Sequence, residues 1–303
     1  MPPKKTAKPK PILKALRCRN RLAKLARPCV VLDTVTKNLP FEGEQLSERS
    51  FVGGNPLLPF DFKWPTAKLK LSGSKQELDV PMVFYLQIDL ADVTQFDLES
   101  LLPDHGILAF FVLGTCMEFT DGPCQCVVRY FEHTSDLIEH QRNDPAEVAA
   151  NARVMNSLIL PHLPLAAHAE WSFPIDGVVP YDDDSFYGEP DDNVLTQERW
   201  DAIEYDYEEL NYSIAERDGY DIFDHDYQQR NQMLGYASNL TQPDQQYPDD
   251  ILLLEIGTLE DEQGNPIYPS WYTVNDYVFT VFIDCDDFAA GKMDQCRAQV
   301  QVW

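Results

Sequence analysis

A loop rich in glycine and proline constrains the fold of this chain more than any other segment. It covers residues 50–59 and is closed by Trp64-Pro65. Gly53 and Gly54 permit positive φ, and the three prolines fix φ and remove backbone donors, so the segment should be neither a helix nor a central strand. Its phenylalanine and leucine side chains must be buried somewhere. We therefore predict a structural loop laid across a sheet.

Length and composition indicate a globular protein. The chain has 303 residues, of which 44% are hydrophobic, so a large core is within reach. The sequence contains no apolar run of membrane-spanning length, and no membrane contact is expected. Seven cysteines with irregular spacing, without the apolar core of a signal peptide, favour free thiols in a reducing compartment. We therefore expect a cytoplasmic location.

Charge is distributed very unevenly along the chain. The formal net charge is −26, yet the first 27 residues carry ten bases and no acid. The rest of the chain therefore carries 14 bases against 50 acids, a net charge of −36. Such a surface repels nucleic acid and anionic lipid and attracts a basic protein partner. The plain alternative is that the charge serves solubility alone.

Local patterns give the expected order of elements. Residues 1–11 should be a disordered basic tail. Residues 12–26 have the apolar spacing of a basic N-terminal helix, and strands are expected at residues 29–32, 81–90, 106–113 and 126–132. We expect residues 161–180, which contain several prolines, to form a loop.

An acidic segment at residues 182–226 holds 17 acids and two bases. Apolar residues at spacings of three and four from Trp200 to Ile214 predict an amphipathic central helix within it. This helical insertion is our candidate surface for a basic partner, although an acidic helix face is often only a solvated face. The candidate binding residues are Asp182, Asp183, Asp184, Asp191, Asp192, Asp206, Glu208 and Glu209.

The order of motifs in the first part of the chain recurs in the last part. The run 250–256 resembles 83–89, with Glu255 in the place of Gln87, and each is followed about twenty positions later by another apolar strand. A segment at Leu234-Gly235 precedes the later pair as Gly53-Gly54 precedes the earlier one. We predict an internal duplication with halves at about residues 50–135 and 232–303.

These motifs, taken together, resemble the YwqG-like family, a bacterial domain of unknown function. The resemblance rests on Ser50-x-x-Gly53-Gly54-x-Pro56-x-Leu58-Pro59, on Phe84-Tyr85-Leu86-Gln87-Ile88-Asp89-Leu90, and on Gln232-Met233-Leu234-Gly235-Tyr236. It covers residues 27–303. It implies one compact α+β domain over residues 12–303, built mostly on antiparallel sheets, with no established catalytic residue. Members of the family can lie near toxin and immunity genes.

No complete catalytic or metal-binding set is present in the sequence. Asp284-x-Asp286-Asp287 follows an apolar strand as in aspartate-based phosphotransferases, but Phe288 and the short remaining chain do not fit that mechanism. The acids from Asp182 onward lack the glycine of a calcium loop, and the six histidines lack zinc or serine-hydrolase spacing. We assign no catalytic residue, no metal and no cofactor.

Two hypotheses about function remain open. The first is a non-catalytic protein-binding module, like an immunity protein or inhibitor, that grips a basic partner. The second is an enzyme or small-ligand receptor with a pocket between the two halves, near Trp64, Gln87 and Glu255. For Gln87, the structural alternative is that its amide satisfies the backbone of residues 53–59.

Overall fold

Strands make up most of the part of the chain that the structure, a computed structural model, describes. That part comprises residues 27–34, 49–70, 77–113, 122–141, 162–172, 231–237, 250–257, 259 and 277–302. Its strands are β1 (Arg27–Thr34), β2 (Phe51–Val52), β3 (Leu57–Pro59), β4 (Thr66–Lys70), β5 (Glu77–Pro81), β6 (Val83–Asp89), β7 (Ile107–Val112), β8 (Gly122–Cys124), β9 (Cys126–Phe131), β10 (Leu137–Glu139), β11 (Leu163–Ser172), β12 (Gln232–Met233), β13 (Asp250–Ile256), β14 (Tyr277–Asp284) and β15 (Arg297–Val302).

Helices in these residues are short and stand at strand ends. They are α1 (Leu90–Val93) and α2 (Cys285–Ala289), with single 3-10 turns at Thr94–Phe96 and Met293–Gln295. Aspartate caps both helices: Asp89 accepts from Ala91 N, and Asp284 accepts from the backbone N–H groups of residues 286 and 287. The acids after β14 therefore begin a helix.

One antiparallel sheet of 11 strands organises the molecule. Its strand order is β8-β15-β14-β13-β12-β1-β11-β2-β6-β7-β9, and β3/β10 and β4/β5 form two separate ribbons. The strands at its two ends, β8 and β9, are separated in sequence by Gln125 alone. The sheet therefore curls into a nearly closed, barrel-like form, and the chain crosses its seam at Gln125.

The main core lies on one face of this sheet. It combines residues from both halves of the chain, among them Leu86, Phe110, Leu254 and Phe279, all 0% exposed. Tyr85 contacts Phe279 edge to face, with ring centroids 5.4 Å apart. The two halves therefore share one hydrophobic core.

A second cluster buries apolar side chains of the glycine-proline segment against the sheet. Phe51 and Leu58 pack with Phe84 and Phe111, and Trp64 contacts Phe111 edge to face at 5.2 Å. Phe62 stacks on Phe111 at 5.6 Å. Phe51, Phe62 and Trp64 thus cover the face of β6 and β7 that is turned away from the main core, whereas Phe60 is 83% exposed.

The α+β fold class is wrong, because the described chain is mostly antiparallel strand and its helices have only four and five residues. The apolar runs that the sequence predicts as strands are strands in the structure, so the error in the fold class concerns the helical content. The expected N-terminal helix at 12–26 and the central acidic helix within 182–226 lie outside the described residues. The basic tail at 1–11 lies outside them too.

Two local expectations also need correction. Residues 163–172, expected to be loop, form β11, which pairs with β1 from Arg27↔Ser172 to Thr34↔Leu165. Phe51–Val52, within the segment expected to contain no central strand, forms a two-residue strand between β11 and β6. In β11, the eight-residue pairing with β1 outweighs the weak strand preference of its alanines and of Pro164.

Corresponding positions of the two predicted halves make similar backbone contacts. Gly53 N donates to the Tyr85 carbonyl at 2.8 Å, and Leu234 N donates to the Leu252 carbonyl at 2.7 Å. The hairpins β6/β7 and β13/β14 each have an irregular register, between Phe84 and Leu86 and between Leu252 and Leu254. The duplication itself stays a prediction from the sequence.

Candidate functional site

An open cleft lies at the seam of the large sheet. β15 pairs with β8 from Ala298↔Cys124 to Val300↔Gly122, while β9 pairs with β7 at the other end of the sheet. At Gln125 the chain passes from β8, which is paired with β15, to β9. A space of about 470 Å³ remains there between β15 and β9. This volume lies within the range of small-ligand sites. We call it the seam cleft.

One wall of the seam cleft comes from the first half of the chain. Its residues are Thr66, Ala67, Met82, Gln125, Cys126 and Val127. Backbone hydrogen bonds hold this wall: Leu113 N donates to the Gln125 carbonyl at 2.9 Å, and Met82 N donates to the Pro65 carbonyl at 2.9 Å. Apolar side chains dominate here, so this wall suits the apolar body of a ligand.

The other wall is the start of β15 with the residue before it, and it is more polar. It comprises Cys296, Arg297, Ala298 and Gln299. The Arg297 guanidinium is bonded to the carboxylate of Asp250, which is 3% exposed in its side chain. This ion pair, made across the intervening β14, fixes the position of β15 relative to β13.

Gln299 brings a buried donor to the seam cleft. No acceptor in the described part of the chain bonds to its Nε2, although that atom is shielded from solvent. An unpaired buried amide costs about 1–3 kcal/mol. A ligand oxygen in the cleft can remove this cost, which makes Gln299 the most informative polar group of the site.

A row of polar residues connects Gln299 with the interior of the second half. The register pairs Gln232 with Glu255, Glu255 with Thr280, and Thr280 with Gln299. Gln232 Nε2 donates to Glu255 Oε1 at 3.3 Å, and Glu255 and Thr280 are 0% exposed. Within the described residues, Thr280 Oγ1 and Gln232 Oε1 also have no hydrogen-bond partner. The seam cleft thus adjoins a buried row with unused hydrogen-bonding capacity.

Trp64 and Gln87, predicted to line a pocket, serve the glycine-proline loop in the structure. Trp64 Nε1 donates to the Met82 carbonyl at 2.6 Å, directly beside the seam cleft. Gln87 Oε1 accepts from Leu57 N at 2.8 Å, and its Nε2 donates to the Arg49 carbonyl at 2.7 Å. These bonds are the structural alternative that the sequence left open for Gln87.

The structure does not bring Glu255 close to Trp64 and Gln87. It lies on β13 in the polar row, whereas Gln87 lies on β6, and four strands stand between β13 and β6 in the sheet order. The predicted partner-binding acids, Asp182, Asp183, Asp184, Asp191, Asp192, Asp206, Glu208 and Glu209, lie outside the described residues.

Two acids, Asp89 and Asp92, lie at the start of α1, and Asp89 is only 5% exposed. The Asp89 carboxylate is 3.2 Å from Arg49 Nε, and Ser50 Oγ donates to Asp92 at 2.6 Å. Burial raises the pKa of Asp89, against the lowering by the Ala91 N–H and by Arg49. Because these groups already bond to one another and to the helix start, they hold α1 in place and offer no ready catalytic acid.

The described residues hold neither a cluster suited to a metal ion nor a membrane-spanning helix. Within the described ranges, no group of three or more His, Cys, Asp or Glu is placed to hold a metal ion. The helices in those ranges are too short and too polar to cross a membrane.

Sequence reasoning missed β15 and therefore the seam cleft. The alternation Arg297-Ala298-Gln299-Val300-Gln301-Val302 is the period-two pattern of a strand with one apolar face, and it could have predicted β15. The contact between residues near 66, 125 and 297 could not have been found this way, since it depends on how the whole sheet closes.

Comparison with known proteins places the chain in a family. No curated protein matches it. The family described as domain of unknown function (DUF1963) matches residues 50–301, which include both hairpins, the seam cleft and the polar row. The chain therefore belongs to the DUF1963 family, a domain of unknown function.

Proposed function

We propose that the protein binds a small ligand in the seam cleft, and that the ligand presents an oxygen acceptor to Gln299 Nε2. The buried and unpaired amide of Gln299 carries this proposal. A carbonyl or carboxylate oxygen on a mostly apolar body fits the two walls, because Ala67, Met82 and Val127 face the polar start of β15. The assignment is binding rather than turnover.

A ligand screen with matched variants tests the proposal. The wild type is screened for thermal stabilisation by a library of small carboxylates and amides, and the best binder is measured by titration calorimetry. Gln299→Leu should weaken that binder about tenfold, the worth of one hydrogen bond of roughly 1–1.5 kcal/mol. Gln95→Leu makes the same chemical change at an exposed site and should leave the affinity unchanged. A library without binders, or equal affinity in Gln299→Leu, contradicts the proposal.

A second proposal concerns a basic protein partner held by the acidic surface. It rests on the net charge of −26 and on the 17 acids of residues 182–226. Asp286, Asp287 and Asp294, beside α2, are a second acidic group that lies around Lys292. Lys292 Nζ lies 2.8 Å from Asp287, and this pairing raises the lysine pKa. The function would be that of an immunity protein or inhibitor.

Charge removal at two places separates specific from general attraction. Full-length protein is titrated with a lysine-rich peptide at low and at physiological salt. Asp182, Asp183 and Asp184→Asn should weaken binding more than Asp286, Asp287 and Asp294→Asn, which removes the same formal charge. Equal loss in both variants indicates general attraction only. Binding that does not respond to salt speaks against the proposal altogether.

We also propose the finer grouping and the location that the sequence indicates. The motifs at residues 50–59, 84–90 and 232–236 are the basis for grouping the chain as YwqG-like within its family. Its odd number of cysteines and their irregular spacing support a cytoplasmic location. Fractionation of cells that express the tagged full chain tests the location.

A further inference from the structure

A loop with two exposed leucines lies at the end of the sheet where β1 begins. Leu98 and Leu101 belong to this loop, residues 97–102, and they are 59% and 40% exposed. Among the residues that the structure describes, only Phe60 and Ile138 are other large apolar side chains with comparable exposure. We call residues 97–102 the end loop. It shares no residue with the seam cleft.

The end loop lies beside the first residue of β1. β6 and β11 both run antiparallel to β2, so α1 and the end loop, which follow β6, lie at the same end of the sheet as Ser172, the last residue of β11. α1 and the 3-10 turn after it also pack against β11. Ser172 is the register partner of Arg27. The residues that precede β1 therefore leave the sheet next to the end loop.

A charge contact links the end loop with this first residue. The Arg27 guanidinium lies 4.5 Å from the centre of the Tyr236 ring. Burial raises the pKa of Tyr236, Arg27 opposes this rise, and the negative charge of Glu99 adds to it. Glu99 and Arg27 thus act on the same ring, one from the end loop and the other from the start of β1.

The chain itself contains a segment of matching chemistry. Residues 12–26 directly precede Arg27, and their apolar spacing predicts an amphipathic helix. Bases recur in it at intervals of three, four and three, which places them on one helix face and leaves a largely apolar opposite face: Lys14, Arg17, Arg21 and Lys24. The first 27 residues contain no acid.

The acids of the end loop complement this basic segment. Asp97 is 7% exposed, and its Oδ2 accepts from Leu102 N at 2.7 Å. Its Oδ1 has no hydrogen-bond donor in the described part of the chain. A base that lies over the loop supplies a counter-charge to Asp97 and to the exposed Glu99. Because the segment is tethered at Arg27, its effective concentration at the loop is high.

We propose that residues 12–26 dock as an amphipathic helix on the end loop, with the apolar face on Leu98 and Leu101 and bases near Asp97 and Glu99. The occupant is this chain's own segment, because that segment ends where Arg27 contacts Tyr236. Docking covers the two leucines and holds the basic segment against the acidic body of the molecule.

Photo-cross-linking from the end loop identifies its occupant. The full chain with Leu98→p-benzoylphenylalanine is irradiated, digested and mapped by mass spectrometry. We expect cross-links to peptides within residues 12–26. The same probe at Ile138, an exposed position on the β3/β10 ribbon, should not reach them. Cross-links from position 98 to residues 182–226, to a second copy in a dimer band, or to no peptide of residues 12–26 overturn the proposal.

Trypsin measures how often the segment is released. Cleavage within residues 12–26 of the native full chain follows the undocked fraction. Leu98→Ser combined with Leu101→Ser should accelerate this cleavage about tenfold, because the apolar contact of both leucines is lost. Phe60→Ser combined with Ile138→Ser removes two exposed apolar side chains elsewhere and should leave the rate unchanged. Equal rates in wild type and the end-loop variant overturn the proposal, and the cross-link decides it if that variant does not fold.

Discussion

At the scale of single residues, two glutamines on the same sheet differ in the hydrogen bonding of their side-chain amides. Gln87 is fully buried and bonds to the backbone at both ends of its amide, whereas Gln299 Nε2 meets no acceptor in the described chain. A buried amide with partners stabilises a fold, and one without them costs free energy. Residue type alone does not distinguish them. The difference marks Gln87 as structural and Gln299 as available to a ligand.

Leucine at these two positions should change stability in opposite directions. Gln87→Leu leaves Leu57 N and the Arg49 carbonyl unpaired, so the free energy of unfolding should fall by about 2–3 kcal/mol. Gln299→Leu removes an unpaired donor and should raise it by about 1 kcal/mol in the ligand-free protein. Urea denaturation followed by fluorescence measures both. A loss of stability in Gln299→Leu would show that its amide is already satisfied.

His168 gives a prediction for pH. Its Nδ1 lies 3.1 Å from Asp33 Oδ2 and its Nε2 lies 3.2 Å from Glu170 Oε1. The hydrogen bonds to Asp33 and Glu170 raise the pKa of His168 from 6.5 to about 9. Because the folded-state pKa is the higher one, the stabilisation is complete below pH 6.5 and disappears as the pH rises through about 9.

The variant His168→Gln should therefore matter in acid and not in alkali. Below pH 6.5 it should lose about 1 kcal/mol of unfolding free energy relative to wild type, a figure reduced for solvent screening of the partly exposed ion pairs. Above pH 9 the two proteins should be equally stable. Denaturation curves across this range measure the difference, and a constant difference at all pH values would be at odds with a charged His168.

At the scale of elements, the two loops beside the central strands have the same backbone form. Gly53 and Gly54 have φ of 66° and 63°, and Leu234 and Gly235 have φ of 64° and 72°. Gly235 also lies against Ser172, where a Cβ atom would meet Ser172 Oγ at 2.1 Å. That hydroxyl accepts from Tyr236 N and donates to the Arg27 carbonyl. This loop is thereby fastened to the first strand pair of the chain.

Alanine at position 235 should therefore lower the free energy of unfolding by more than the strain of a left-handed backbone alone. We expect Gly235→Ala to lower the free energy of unfolding by about 3 kcal/mol, since it adds backbone strain and displaces the Ser172 hydroxyl. Gly291→Ala is the matched control: its φ is 70°, but no atom lies within 4 Å of the added Cβ, so it should cost only about 1 kcal/mol. Equal losses in urea denaturation would mean that Ser172 moves aside freely.

At the scale of the whole molecule, the sequence predicts strands well and their arrangement poorly. Apolar runs such as residues 250–256 and 277–283 became strands β13 and β14, because burial on both faces leaves a continuous apolar pattern. β11 escaped prediction because its alanines and Pro164 have weak strand preference and only pairing with β1 makes it a strand. The seam cleft escaped as well, since no local pattern encodes the closure of an 11-stranded sheet.

The net charge leads to a prediction that concerns the whole molecule. With a formal charge of −26, self-repulsion opposes the compact state, and salt screens it over a Debye length that shrinks from roughly 30 Å at about 0.01 M to roughly 8 Å at about 0.15 M. We expect the midpoint of thermal unfolding to rise over this interval by about 2–4 °C, the equivalent of roughly 1 kcal/mol. Sodium chloride and choline chloride should act alike, because screening does not depend on the cation. A rise with sodium alone would indicate a specific cation site, and a fall in either salt would mean that attractive ion pairs such as Arg297 with Asp250 outweigh the repulsion.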